Sequence, residues 1–102
     1  MKIISVDELK AKMDNGEAIH LLDVREPSEH AEFNIGGELL PLSQVLTMQV
    51  ETIEAWRDEE LIIYCRSGNR SGQACQVLDM LGFTNTNNLA GGMLAWKEKY
   101  EK

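Results

Sequence analysis

Two rhythms of apolar and polar residues take turns along this chain. Short apolar runs of strand type fall at Ile3-Ile4, from Ala18 to Val24, at Leu39-Leu40-Pro41, from Leu61 to Tyr64 and, more weakly, over 84–89. The runs at 18–24 and 61–64 hardly alternate, as strands covered on both faces do. Between the runs, apolar residues return every three or four positions, the spacing of one helix face. Ser5 offers an N-cap and Glu8 completes a capping box, with Leu9 and Met13 on the inner face and Gly16 at the stop. Pro27 suits a first helical turn, so 27–33 reads as a short helix and Gly36-Gly37 as a turn. Ser43 is placed to cap a helical stretch carrying Val45, Leu46, Val50, Ile53 and Trp56. Residues 69–81 put Ala74, Cys75, Leu78 and Leu81 on one face before Gly82, and 93–100 reads as a last helix after Gly91-Gly92. Strand and helix in alternation predict an α/β fold, a mostly parallel central sheet with helices on both faces.

Length adds that 1–102 is expected to be a single domain with one core. No apolar run is long enough to span a bilayer, and the acidic N-terminal stretch is unlike a secretory leader. Two cysteines, Cys65 and Cys75, are too few for a disulfide framework or a four-ligand zinc site. A cytoplasmic chain with reduced thiols is the expectation. The net charge of −7 argues against nucleic acid or an anionic membrane as partner. That charge is uneven. Residues 1–60 hold fourteen acids and five bases, whereas 61–102 hold three acids and five bases. From Leu61 to Leu78 the only charges are Arg66 and Arg70.

Candidate chemistry sits in that acid-free stretch. The strand at 61–64 runs into Cys65-Arg66-Ser67-Gly68-Asn69-Arg70-Ser71, and a helix follows. Open α/β sheets bind ligands at the carboxyl ends of their strands. Gly68 permits backbone angles that other residues resist, so successive N–H groups of small residues can turn inward as a nest. The positive end of the following helix points at the same place. Arg66 and Arg70 add cationic charge. Together these favour a Cys65 thiolate, a nucleophile seated in an anion cradle.

The chain resembles the rhodanese family of single-domain sulfurtransferases. Asp23-Val24-Arg25, then Glu29, then Ile35-Gly36-Gly37 resembles its amino-terminal signature. Residues 65–71 resemble its active-site loop, and Leu89-Ala90-Gly91-Gly92 with Trp96 its carboxy-terminal signature. One departure is Phe33-Asn34, where the family usually has Gly-His; the turn is far from Cys65 in sequence, so local repacking is expected. The resemblance implies a rhodanese-like, five-stranded sheet and a persulfide mechanism. Cys65 would take the outer sulfur of an anionic donor such as thiosulfate, with backbone N–H groups of 66–70 holding the charge. Cyanide or a thiol would then accept that sulfur, or a protein in a sulfur relay. Arg66, Ser67, Gly68, Asn69 and Arg70 would bind the substrate, with Arg66 at the mouth selecting the donor. No metal or organic cofactor is implied.

Two other classes compete. Cysteine-dependent phosphatases and arsenate reductases of similar architecture place five residues between Cys and Arg, whereas four separate Cys65 from Arg70, a loop cramped for a tetrahedral phosphate. A non-catalytic binding module is the other; the retained Cys65 argues against it and leaves a sulfur-relay partner role open. Asp23 and Arg25 read as structural support, a charged hydrogen bond tying neighbouring loops. Cys75 reads as core packing, His20 as a satisfied strand residue and His30 as solvated. Glu26 divides between the pocket mouth and plain exposure. The methionines read as filler, with Met48 and Met93 also placed to rim the pocket.

Overall fold

The computed structural model describes residues 1–101. Its elements are β1 (Lys2–Ile4), α1 (Val6–Asp14), β2 (His20–Asp23), α2 (Pro27–Glu32), β3 (Glu38–Leu39), α3 (Leu42–Leu46), a 3-10 segment (Glu51–Trp56), β4 (Leu61–Tyr64), α4 (Asn69–Met80), β5 (Thr86–Leu89) and α5 (Gly92–Tyr100). The five strands form one sheet in the order β1-β5-β4-β2-β3, and every pairing is parallel. The sequence predicted this architecture, and the sheet is parallel throughout.

Central β4 is buried along its whole length, and its side chains alternate between two cores. Leu61 and Ile63 pack with Val45, Ile53, Ala74 and Leu78, from the side of α3, the 3-10 segment and α4. Ile62 and Tyr64 pack with Leu9, Met93 and Trp96, from the side of α1 and α5. Each large apolar side chain removed from water contributes roughly 1.5–3 kcal/mol, so both layers hold the sheet. The connection leaving β2 leads outward to β3, whereas the one leaving β4 leads the other way to β5. The crevice between these two strand ends is the topological switch point, where open parallel sheets bind ligands.

Local expectations fare unevenly. The capping box at Ser5 and Glu8 forms as read, and α4 begins at Asn69. The stretch after Ser43 is not one helical region. Pro41, not Ser43, precedes the first turn of α3, and Met48 at φ 62° breaks the chain before the 3-10 segment. Val45, Val50 and Ile53 are buried nonetheless, so their spacing serves two short pieces. His30 is not simply solvated, because its Nδ1 lies 2.8 Å from Asp23 Oδ2. Among the described residues, no helix is long and apolar enough to cross a membrane.

Candidate active site

Cys65 follows the last residue of β4 and is almost wholly buried. Two helices shape the loop beyond it. At the start of α5, the Met93 N–H donates to the Cys65 carbonyl at 2.9 Å and the Leu94 N–H to the Arg66 carbonyl at 3.0 Å. These bonds hold the loop's carbonyls toward α5 and away from the thiol. Only glycine fits at 92, since a methyl there would collide with the Cys65 carbonyl oxygen and lie 2.8 Å from that of Arg66. Gly68, at φ 105°, turns the chain so that its N–H donates to Cys65 Sγ at 3.1 Å. Helix α4 then starts, and Ser71 in its first turn brings Oγ to 3.4 Å from Sγ.

Asn88, on β5, braces this loop from behind. Its Nδ2 donates to the Gly68 carbonyl at 3.1 Å, and its Oδ1 accepts from Ser71 Oγ at 2.5 Å. Burial pushes the Cys65 pKa up, but the Ser71 hydroxyl and the N–H groups of Ser71, Gly68 and Ser67 outweigh it, and the thiol sits below the ordinary range. Ser71 has one hydroxyl proton, and Asn88 Oδ1 competes for it at the shorter distance. The backbone amides, with no such competitor, are therefore the steadier source of thiolate stabilisation.

The two arginines play different parts from each other. Arg70 turns away into a two-pronged ion pair with Glu29 of α2, at 2.7 and 2.9 Å. That pair holds Glu29 down at about 2 and leaves Arg70 partly neutralised. Arg66 is exposed beside the loop. Arg70 still feels the Cys65 charge, but as a cation paired with Glu29 and not as the free one expected. Asp23 and Arg25 are buried together, with Arg25 donating to Asp23 at 2.9 and 2.8 Å and to the Phe33 carbonyl at 2.5 Å. Asp23 also meets His30, so the β2 end is braced to the C-terminal end of α2.

Beside the loop opens a cavity of about 220 Å³, whose wall includes Arg25, Glu29, Arg66 and Met93. Phe33 lines it as well, so the unusual Phe33-Asn34 turn, remote in sequence, is near in space. Glu26 is exposed and off this wall, as is Met48. Ser67 stands in the loop and Asn69 opens α4, both exposed. Cys75 is buried within the α4-side core, and His20 stacks on Trp56 at 4.4 Å. Sequence reasoning passed over Asn88, and gave Glu29 and Ser71 no role of their own. A signal for Asn88 existed: three polar residues in a row, Thr86-Asn87-Asn88, in a strand that must be buried need partners. Among the described residues no cluster of three or more His, Cys, Asp or Glu side chains is gathered to hold a metal.

Comparison with known proteins bears on the family and the fold. A family model described as a rhodanese-like domain matches residues 5–99. A sulfurtransferase of Allochromatium vinosum is 36% identical, covering 91% of this chain and 85% of its own. The human thiosulfate:glutathione sulfurtransferase is 34% identical, covering 94% of this chain and 93% of its own. The crystal structure of a rhodanese-like domain protein from Staphylococcus aureus superposes with a TM-score of 0.83 at 31% identity, over 94% of this chain and 91% of that one.

Proposed function

The chain belongs to the rhodanese-like domain family, and on that premise we propose that it is a sulfurtransferase that carries sulfur as a persulfide on Cys65. The observation that supports this best is the Gly68 N–H aimed at a buried Sγ from a loop of only four residues between Cys65 and Arg70. The Cys65 thiolate attacks the outer sulfur of an anionic donor, thiosulfate being the one that best suits exposed Arg66. A new S–S bond forms to Cys65, the donor's S–S bond breaks, and its electron pair leaves with sulfite. The extra sulfur carries the negative charge, which the amides of the loop receive without rearranging. A thiolate or cyanide then removes that sulfur and returns Cys65 to thiolate. A protein acceptor in a relay fits the same chemistry.

The phosphatase reading has less support. The loop is short for a phosphate, and the guanidinium that would grip one is held by Glu29. Intact mass after incubation with thiosulfate separates the readings. The wild type is expected to gain one sulfur atom, removable by cyanide. A chain that gains none while hydrolysing an aryl phosphate would overturn the proposal.

A further inference from the structure

The cavity beside the loop is larger than a small oxyanion requires. At roughly 30 Å³ per water it has room for about seven waters. Its charges divide into two sets. Arg25 and Glu29 are already committed, to Asp23 and to Arg70. Arg66, Lys97 and Glu32 have no ion-pair partner among the described residues. The remaining wall is apolar: Phe33, Met93 and Leu94. Lys97 is exposed on α5, and its Nζ lies 4.6 Å from the centre of the Phe33 ring, which holds its head beside the cavity. Two cations and one carboxylate without partners, facing an apolar wall, match a ligand that carries both charges on a short carbon frame.

We propose that this cavity receives the organic acceptor, an amino-acid-like thiol. Its carboxylate rests on Lys97 and Arg66, its ammonium on Glu32 and its carbon chain against Phe33, Met93 and Leu94. This rests on the sulfur-transfer reading above and names the acceptor's class. The acceptor loses its thiol proton to solvent and attacks the outer sulfur of the Cys65 persulfide. One S–S bond forms as the one to Cys65 breaks, the electron pair returns to Sγ, and no net oxidation occurs. Lys97 becomes a specificity-determining residue that touches the acceptor and not the reacting sulfur.

The test loads wild type and variants with thiosulfate, removes the donor, verifies the added sulfur by intact mass and times its removal. Four probes are used at matched thiolate concentration: cysteine, 3-mercaptopropionate, cysteamine and 2-mercaptoethanol. Lys97→Ala is expected to slow discharge by the two carboxylate thiols about fivefold, the worth of one exposed ion pair. Cysteamine and 2-mercaptoethanol should change less than about twofold. Lys97→Met, which keeps the stem on Phe33, should behave like Lys97→Ala, and Lys97→Arg should restore most of the rate. Glu32→Gln should slow cysteine and cysteamine and spare 3-mercaptopropionate. Equal slowing of all four thiols by Lys97→Ala, or none, overturns the proposal. A wild type that gains no sulfur overturns the sulfur-transfer reading itself, and this one with it; the mass spectrum tells the two failures apart.

Discussion

Two cysteines stand ten residues apart, both almost without solvent contact, and the fold prepares only one to ionise. Cys75 faces inward from the middle of α4. Burial pushes its thiol up to about 12, nearby Asp79 adds to this, and Thr86 and the N-terminal ammonium oppose it without prevailing. Cys65 meets the same burial, yet its pKa falls. Their difference lies in where unspent N–H groups are found. Inside a helix each amide already donates to the carbonyl one turn back, so none is left for a side chain. Between a strand end and a helix start the amides are free, and a loop can aim them at one atom. Burial alone does not set the state of a thiol here; the direction of the surrounding donors does.

The widest separation between the two thiols is expected in sulfur uptake. Cys65→Ser should take up none and stay folded, while Cys75→Ala should load as the wild type does, checked by intact mass and circular dichroism. If Cys75→Ala is equally inert, the contrast collapses into a two-thiol relay. Next in size is Gly92→Ala. Crowding the Cys65 carbonyl should cost about 1–3 kcal/mol in urea unfolding and turn the loop amides off the thiol, raising the alkylation midpoint of Cys65.

Stability against pH should show the two thiols pulling in opposite directions. Cys75 ionises later when folded than when unfolded. Its share of stability is therefore present at low pH and lost as pH rises from about 8.5, the free-thiol value, toward about 12. Cys65 ionises earlier when folded, so its share appears above the free-thiol pKa and is lost as pH falls through its lower folded value. Urea midpoints across this range should fall less steeply at high pH in Cys75→Ala, and lose the gain below pH 8.5 in Cys65→Ser. A Cys75→Ala curve parallel to wild type above pH 8.5 would break the contrast. The smallest effect concerns Ser71→Ala, which should raise the Cys65 midpoint less than Gly92→Ala does, because Asn88 already competes for the lost proton. A larger rise would place the hydroxyl above the amides.

Much of this was legible in residues 61–82, where strand, glycine turn and helix follow one another and each residue obeys its local preference. The Cys65 loop could be read because its chemistry is contiguous. Residues acting across the fold could not. Glu29 meets Arg70 from 41 positions away, Asn88 meets Ser71 from 17, and His30 looked solvated beside Glu29 and Glu32 until the β2 end placed Asp23 against it. Lys97 gave no signal at all, as an ordinary base on an exposed helix face. The stretch over 43–56 misled because periodicity reports which residues are buried, not whether the backbone between them stays helical, and Met48 turns left-handed there.

The clamp from α5 also fixes when the thiol can become reactive during synthesis. Cys65 leaves the ribosome well before Asn88, Met93 and Leu94, which brace its loop, and β5 must first slot between β1 and β4. Until those late residues emerge, the Cys65 and Arg66 carbonyls have no anchor and the amides no fixed aim. A nascent chain therefore carries an ordinary thiol, and the reactive one arises only when the last parallel pairings close, the slow long-range step of such sheets.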